Sequence, residues 1–173
     1  MKNLIKLVGI IVMVAVIGFS MAACDDGSDN GGGNSGLNGT WVNTEGDEVV
    51  RIVLNNGNFT QSVDNVGWSK GTYSTSGNNM TFNSTQVHGS IFGEQASEMG
   101  LSANQWYTQP QLRTALINYM VGTGHFTQAE AEAMVDSMLE EGSYFGTSTG
   151  TYTLSGNTLT VIMGGETLVF TRQ

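Results

Sequence analysis

The amino-acid sequence predicts a mostly β domain, an eight-stranded antiparallel up-and-down barrel with a two-helix insertion between strands five and six. Three observations lead there. The phrase GTYSTSGNNMTF, Gly71 to Phe82, returns as GTYTLSGNTLTV, Gly150 to Val161, with seven of twelve positions identical. Turn signals of glycine and asparagine recur at Asn55-Asn56-Gly57-Asn58, Ser76-Gly77-Asn78, Ser155-Gly156-Asn157 and Gly164-Gly165, the compositions that tight hairpins need at positive φ. Between the turns, apolar residues alternate with Thr, Ser, Asn and Gln, the period of a strand with one buried face.

The N-terminus is set aside before any folding argument. Met1 to Ala23 has the layout of a signal peptide: Lys2 and Lys6, an apolar run from Leu7 to Phe19, then small residues. The run is short for a spanning helix and ends at the chain's only cysteine, Cys24. Met21-Ala22-Ala23-Cys24 resembles a bacterial lipoprotein signal, with Met where Leu is usual. The resemblance implies cleavage before Cys24 and fatty acylation, palmitate-like chains on a diacylglyceryl-modified thiol. The membrane would then be a partner through those acyl chains, and the protein would be lipid-anchored in the cell envelope outside the cytoplasm. Several chains on one residue anchor firmly, where a single chain binds only marginally.

Without residues 1–23, four basic residues remain against fifteen acidic ones, a net charge of −11. Such a surface repels phosphate backbones and excludes nucleic acid as a partner. Residues 24–36, the acylated cysteine and DDGSDNGGGNSG, hold nothing apolar beyond Cys24 and read as a flexible tether. A calcium-loop reading of Asp26, Ser28 and Asn30 fails at its twelfth position, Leu37, where a bidentate Glu is needed.

Residues 37–173 suffice for one domain with a real core. Strands are expected near 38–44, 48–55, 58–64, 68–75, 78–85, 147–154, 157–163 and 166–172, in sequential hairpins. Val50, Ile52 and Leu54 share a parity, as do Met80 and Phe82, Leu159, Val161 and Met163, and Leu168 and Phe170. Each copy of the repeated phrase is then a hairpin, with Gly and Tyr on one side and SGN at the turn. An eight-strand meander removes its exposed edges by closing on itself.

Gly39-Thr40-Trp41 in the first strand matches the Gly-x-Trp of lipocalins, and Arg172 falls where those barrels often set an arginine across that tryptophan. The chain resembles a lipocalin-like domain of a bacterial lipoprotein over residues 37–173. A middle motif Asp and a long helix after the barrel have no counterpart here. The resemblance implies contact between Trp41 and Arg172, with Gly39 at the start of the closing strand, and a carrier of small apolar ligands.

The pattern changes period between strands five and six, over a helical hairpin of about 108–141. Thr108-Gln109-Pro110-Gln111 and Thr127-Gln128-Ala129-Glu130 read as capping boxes. Helices are expected at roughly 109–121 and 128–141, the first with Leu112, Ala115, Leu116, Tyr119 and Met120 as its stripe. The second presents Ala131, Met134, Val135, Met138 and Leu139. They are expected to pack through Leu116, Met120, Met134 and Met138 against one end of the barrel. Flexible thioethers suit surfaces that fit varied apolar shapes, so these four with Trp106 and Tyr107 form the candidate ligand-binding set.

Chemistry beyond binding is sparse. His88 and His125 are the only histidines and do not suggest a metal cluster; neither a metal nor another cofactor is expected. No glycine-rich phosphate loop and no Gly-x-Ser-x-Gly elbow occurs. The expectation is a non-enzymatic lipoprotein binding a small apolar or amphipathic ligand. A packed barrel serving envelope interaction or structure is the alternative.

Overall fold

The computed structural model describes residues 36–45, 48–141 and 144–173; the expected signal segment, Cys24 and the tether up to residue 35 lie outside the described residues. The elements run β1 (Gly39–Glu45), β2 (Glu48–Asn55), β3 (Asn58–Val63), β4 (Val66–Ser76), β5 (Asn79–His88), a 3-10 segment (Gly89–Ala96), β6 (Trp106–Thr108), α1 (Gln109–Gly122), α2 (Gln128–Glu141), β7 (Gly146–Ser155), β8 (Thr158–Met163) and β9 (Glu166–Arg172). All strand pairs are antiparallel. Eight strands close in the order β4-β3-β2-β1-β9-β8-β7-β5, with β5 returning to β4, and β6 extends β5 beyond the barrel. The fold is the mostly β, eight-stranded closed barrel that the turn signals and alternation predict.

The hairpins sit where glycine permits them. Gly77 and Gly156 turn the two copies of the repeated phrase at the same φ of +56°, a conformation that costs other residues about 1 kcal/mol or more. Asn56 and Gly57 turn β2 into β3 at φ +48° and +80°. The two repeat hairpins, β4–β5 and β7–β8, lie side by side through the pairing of β5 with β7.

Closure of this barrel is strongly staggered. From Trp41 the registered partners Ile52, Gln61 and Ser69 climb to Val87, near the upper end of β5. In the other direction Trp41 faces Arg172, one residue past the last registered pair of β9 with β8 at their lower ends. A stagger of roughly a dozen residues tilts the strands and widens the barrel. Two apolar cores result. One fills the barrel around Leu37, Trp41, Leu54, Phe59, Tyr73, Met80, Leu159, Val161 and Phe170. The other joins Val87 of β5, Tyr107 of β6, the 3-10 segment and both helices.

That second core corrects the expected packing of the insertion. The helices bury Leu112, Leu116, Ile117, Ala131, Val135 and Leu139 against each other and the β5–β6 extension. Met134 and Met138, expected to pack inward, are 45% and 40% exposed. On α2 the buried residues recur at a spacing of four, and the single neighbouring helix is too narrow to cover the methionines on the flank. The sequence pattern also missed β6, whose three residues are too few for any period.

Both helix starts are held by their predicted boxes. The Thr108 N–H donates to Gln111 Oε1 at 3.0 Å and the Thr127 N–H to Glu130 Oε2 at 2.9 Å. Arg113 of α1 grips Asp136 of α2 through Nε and Nη2 at 2.6 and 3.0 Å. The Thr127 hydrogen bonds hold the Glu130 carboxyl below its usual range, and Arg113 does the same for Asp136. A group whose folded pKa is depressed adds stability above its unfolded pKa and loses it as pH falls through the folded value. Acidification below the ordinary carboxylate range is therefore expected to loosen the helical module before the barrel. Amide exchange should show faster exchange in 109–141 than in β1, β2 and β9 at low pH; uniform loosening would contradict it.

Candidate functional site

The two ends of the barrel differ. At the lower end Leu37 is buried under the strands, the Trp41 Nε1–H donates to the Leu37 carbonyl at 2.7 Å, and the Arg172 Cζ lies 4.5 Å from the Trp41 ring centroid. Arg172 Nη2 donates to the Gly36 carbonyl. Asn38 ties this floor together: its Oδ1 accepts from the Tyr73 hydroxyl at 3.2 Å and from the Asn56 N–H at 2.9 Å. Burial pushes the Tyr73 phenol up, partly offset by a hydrogen bond to the Gly57 backbone, and the nearby Tyr152 adds to the rise. Above the floor, Leu54, Phe59, Met80 and Phe170 fill the middle with almost no exposure.

The same inward register continues upward, where burial stops. Val50 and Ile52 of β2, Phe82 of β5, Met163 of β8 and Leu168 of β9 pack against the barrel core and are only partly buried. Their parity directs them into the barrel, so water reaches them through its upper mouth. Gly71 and Gly150 share this parity, and each lies tight against the backbone of its return strand. Ser69 and Gln61 share a hydrogen bond of 3.3 Å on the β3–β4 wall of this upper layer. At the rim, Glu48 and Glu166 continue the inward register of β2 and β9. The upper end thus carries a partly buried apolar layer with Gln61 and Ser69 on one wall and Glu48 and Glu166 at its edge.

The six residues expected to bind ligand do not converge on one surface. Tyr107 and Leu116 belong to the interior of the helical module, with Met120 packed against it. Trp106, next to Tyr107 on β6, instead lies against the His88 ring at 4.7 Å between centroids, with Lys70 Nζ 4.7 Å from its own centroid. Met134 and Met138 face solvent. Alternation alone names Val50, Ile52, Phe82, Met163 and Leu168 as inward. Which end was open was readable from Leu37, Trp41 and Arg172, which cluster where β1 begins and β9 ends.

Two recesses of the surface are open grooves. One lies between Met99–Gly100 and the end of α1, the other on the outer wall beside the Lys70–Gly71 bulge. The histidines are separate. His88 packs between Gly67 and Trp106, its Nδ1 against the Ser90 hydroxyl, which donates to the Gly67 carbonyl at 3.1 Å. Burial lowers the His88 pKa and Lys70 lowers it further. His125 is exposed between the helices. No group of three or more His, Cys, Asp or Glu gathers in metal-binding geometry among the described residues.

Compared with protein-family models, with curated proteins and with solved structures, the chain matches none.

Proposed function

We propose that this chain is a membrane-tethered lipoprotein of the cell envelope whose lipocalin-like barrel holds the apolar part of a small molecule in its upper mouth. The observation that carries this reading is the partly buried inward layer of Val50, Ile52, Phe82, Met163 and Leu168 above a sealed floor. Apolar surface left open inside a concave, rigid scaffold is the usual form of a small-molecule site. The Trp41–Arg172 contact at the closed end supports the lipocalin-like reading, and the signal-like segment before Cys24 supports the tether. We read the protein as non-enzymatic. The filled lower half favours the second reading, a packed barrel that acts through its outer surface in envelope interaction or structure.

Fluorescence titration of residues 24–173 with a dansyl-labelled undecyl chain tests the mouth. Micromolar binding is expected, weakened about tenfold by Leu168→Glu, whose charge would sit in the apolar layer. Met134→Glu with Met138→Glu is expected to leave binding unchanged, since both side chains are already in water. Absence of binding leaves the packed-barrel reading. Attachment is tested separately: native protein should partition into detergent and Cys24→Ala should not, and an unmodified Cys24 in native material would remove the tether from the proposal.

A further inference from the structure

We infer that the mouth selects amphiphiles with a cationic head over anionic or neutral ones of the same tail. The inference rests on the mouth reading above and adds the charge of the ligand, argued from where the charges of the whole domain lie. Among the described side chains, every carboxylate of the barrel is at the upper rim, on Glu48, Asp64 and Glu166, and the others belong to the insertion that rises from the same end. The outer wall between the rims carries Thr, Ser, Asn and Val instead, as in Thr147, Thr149, Thr151 and Thr153 along β7. The lower turns, Asn55 to Asn58, Ser76 to Asn79 and Ser155 to Thr158, are likewise free of acids.

The cations are placed to leave this field intact. Arg172 is at the sealed end over Trp41, and Arg113 is consumed by Asp136. Arg51 belongs to the opposite parity from Val50 and Ile52, and Lys70 lies over Trp106 on the outside. Apolar surface rimmed by one sign of charge concentrates ligands of the other sign. Asp64 is engaged, its Oδ1 accepting from the Val49 N–H at 2.9 Å, so Glu48 and Glu166, which continue the inward register, are the carboxylates that meet a head group above the apolar layer. Phe82 lies below them in that layer, its ring packed against Phe59 and Tyr73.

The experiment compares three probes sharing one dansyl-undecyl tail: the terminal amine, the terminal carboxylic acid and the methyl-capped chain, titrated into residues 24–173 at pH 7. The amine is expected to bind about tenfold tighter than the capped chain, the scale of two partly exposed charge pairs, and the acid weaker than both. Raising sodium chloride to about 0.5 M should erase most of that preference. Glu48→Gln with Glu166→Gln should remove it while retaining affinity for the capped chain, and both are rim substitutions that leave the cores untouched. Equal binding of all three probes overturns the inference and leaves the mouth reading standing. Binding of none overturns both. A preference that survives the double substitution overturns the roles of Glu48 and Glu166.

Discussion

Replacing Gly71 or Gly150 by alanine is expected to destabilise the domain by about 3 kcal/mol each, far more than a glycine-to-alanine change elsewhere in a strand. These are the first glycines of the two repeated phrases. A Cβ on Gly71 would come 1.9 Å from the Asn83 carbonyl oxygen, and one on Gly150 would come 2.2 Å from that of Ile162. In each hairpin the obstacle is the backbone of the return strand, which moves only if the sheet opens. Glycine within a strand marks such tight bends, and both positions face the barrel interior where the wall curves. The second glycine of each phrase acts differently. Gly77 and Gly156 have open space where a methyl would stand, so alanine there meets only the strain of φ +56°, about 1 kcal/mol. Urea unfolding of the four single variants should therefore rank Gly71 and Gly150 well above Gly77 and Gly156. Equal losses at all four would mean that positive φ, and not strand approach, accounts for the repeat.

The same residues show how much of the fold was legible. Turns announce themselves chemically, since Asn56-Gly57, Gly77 and Gly156 adopt a backbone that most side chains avoid. Parity then assigns Leu54, Met80, Leu159 and Phe170 to one face, and a meander with one apolar face has a simple solution in closure. The insertion was legible only in part. Capping boxes gave both helix starts because that signal is local, whereas the burial of Met134 and Met138 depended on a partner surface no local pattern encodes. For the same reason β6 was invisible: Trp106–Thr108 is a strand because His88, Val87 and Gln86 lie opposite it. The candidate site stands between these cases. Alternation supplied its lining, but the partial burial of Ile52 or Leu168 follows from height in the barrel, which comes from register around eight strands.

Trp41→Ala is expected to cost about 3–5 kcal/mol and to unseat the barrel floor, the largest effect of any single side chain here. Trp41 is fully buried and serves three contacts at once: its ring fills the lower core, its Nε1–H satisfies the Leu37 carbonyl, and its face receives the Arg172 guanidinium. Truncation would leave a cavity the size of the ring, an unpaired carbonyl beneath Leu37 and an arginine without its stacking surface. The contributions separate by substitution. Trp41→Phe retains an aromatic face and loses the Nε1–H, for about 1–2 kcal/mol. Arg172→Lys keeps the charge but lacks the planar fork that stacks on the indole while Nη2 reaches the Gly36 carbonyl, and is expected to cost about 1–2 kcal/mol. Because ring and guanidinium touch, Trp41→Ala and Arg172→Ala together should cost less than the sum of the singles. Gly36 and Gly39 bracket this contact, with the Arg172 Nε 3.8 Å and its stem carbons 3.9 Å from where a Gly39 Cβ would stand. The pair therefore pins the start of β1 to the end of β9, the seam at which the meander becomes a barrel. Amide exchange on Arg172→Ala should accelerate first at that seam, in Trp41, Val42 and Thr171. Additive losses with no local opening would show that closure rests on the remaining strand pairs, with the arginine only lying across a floor already shut.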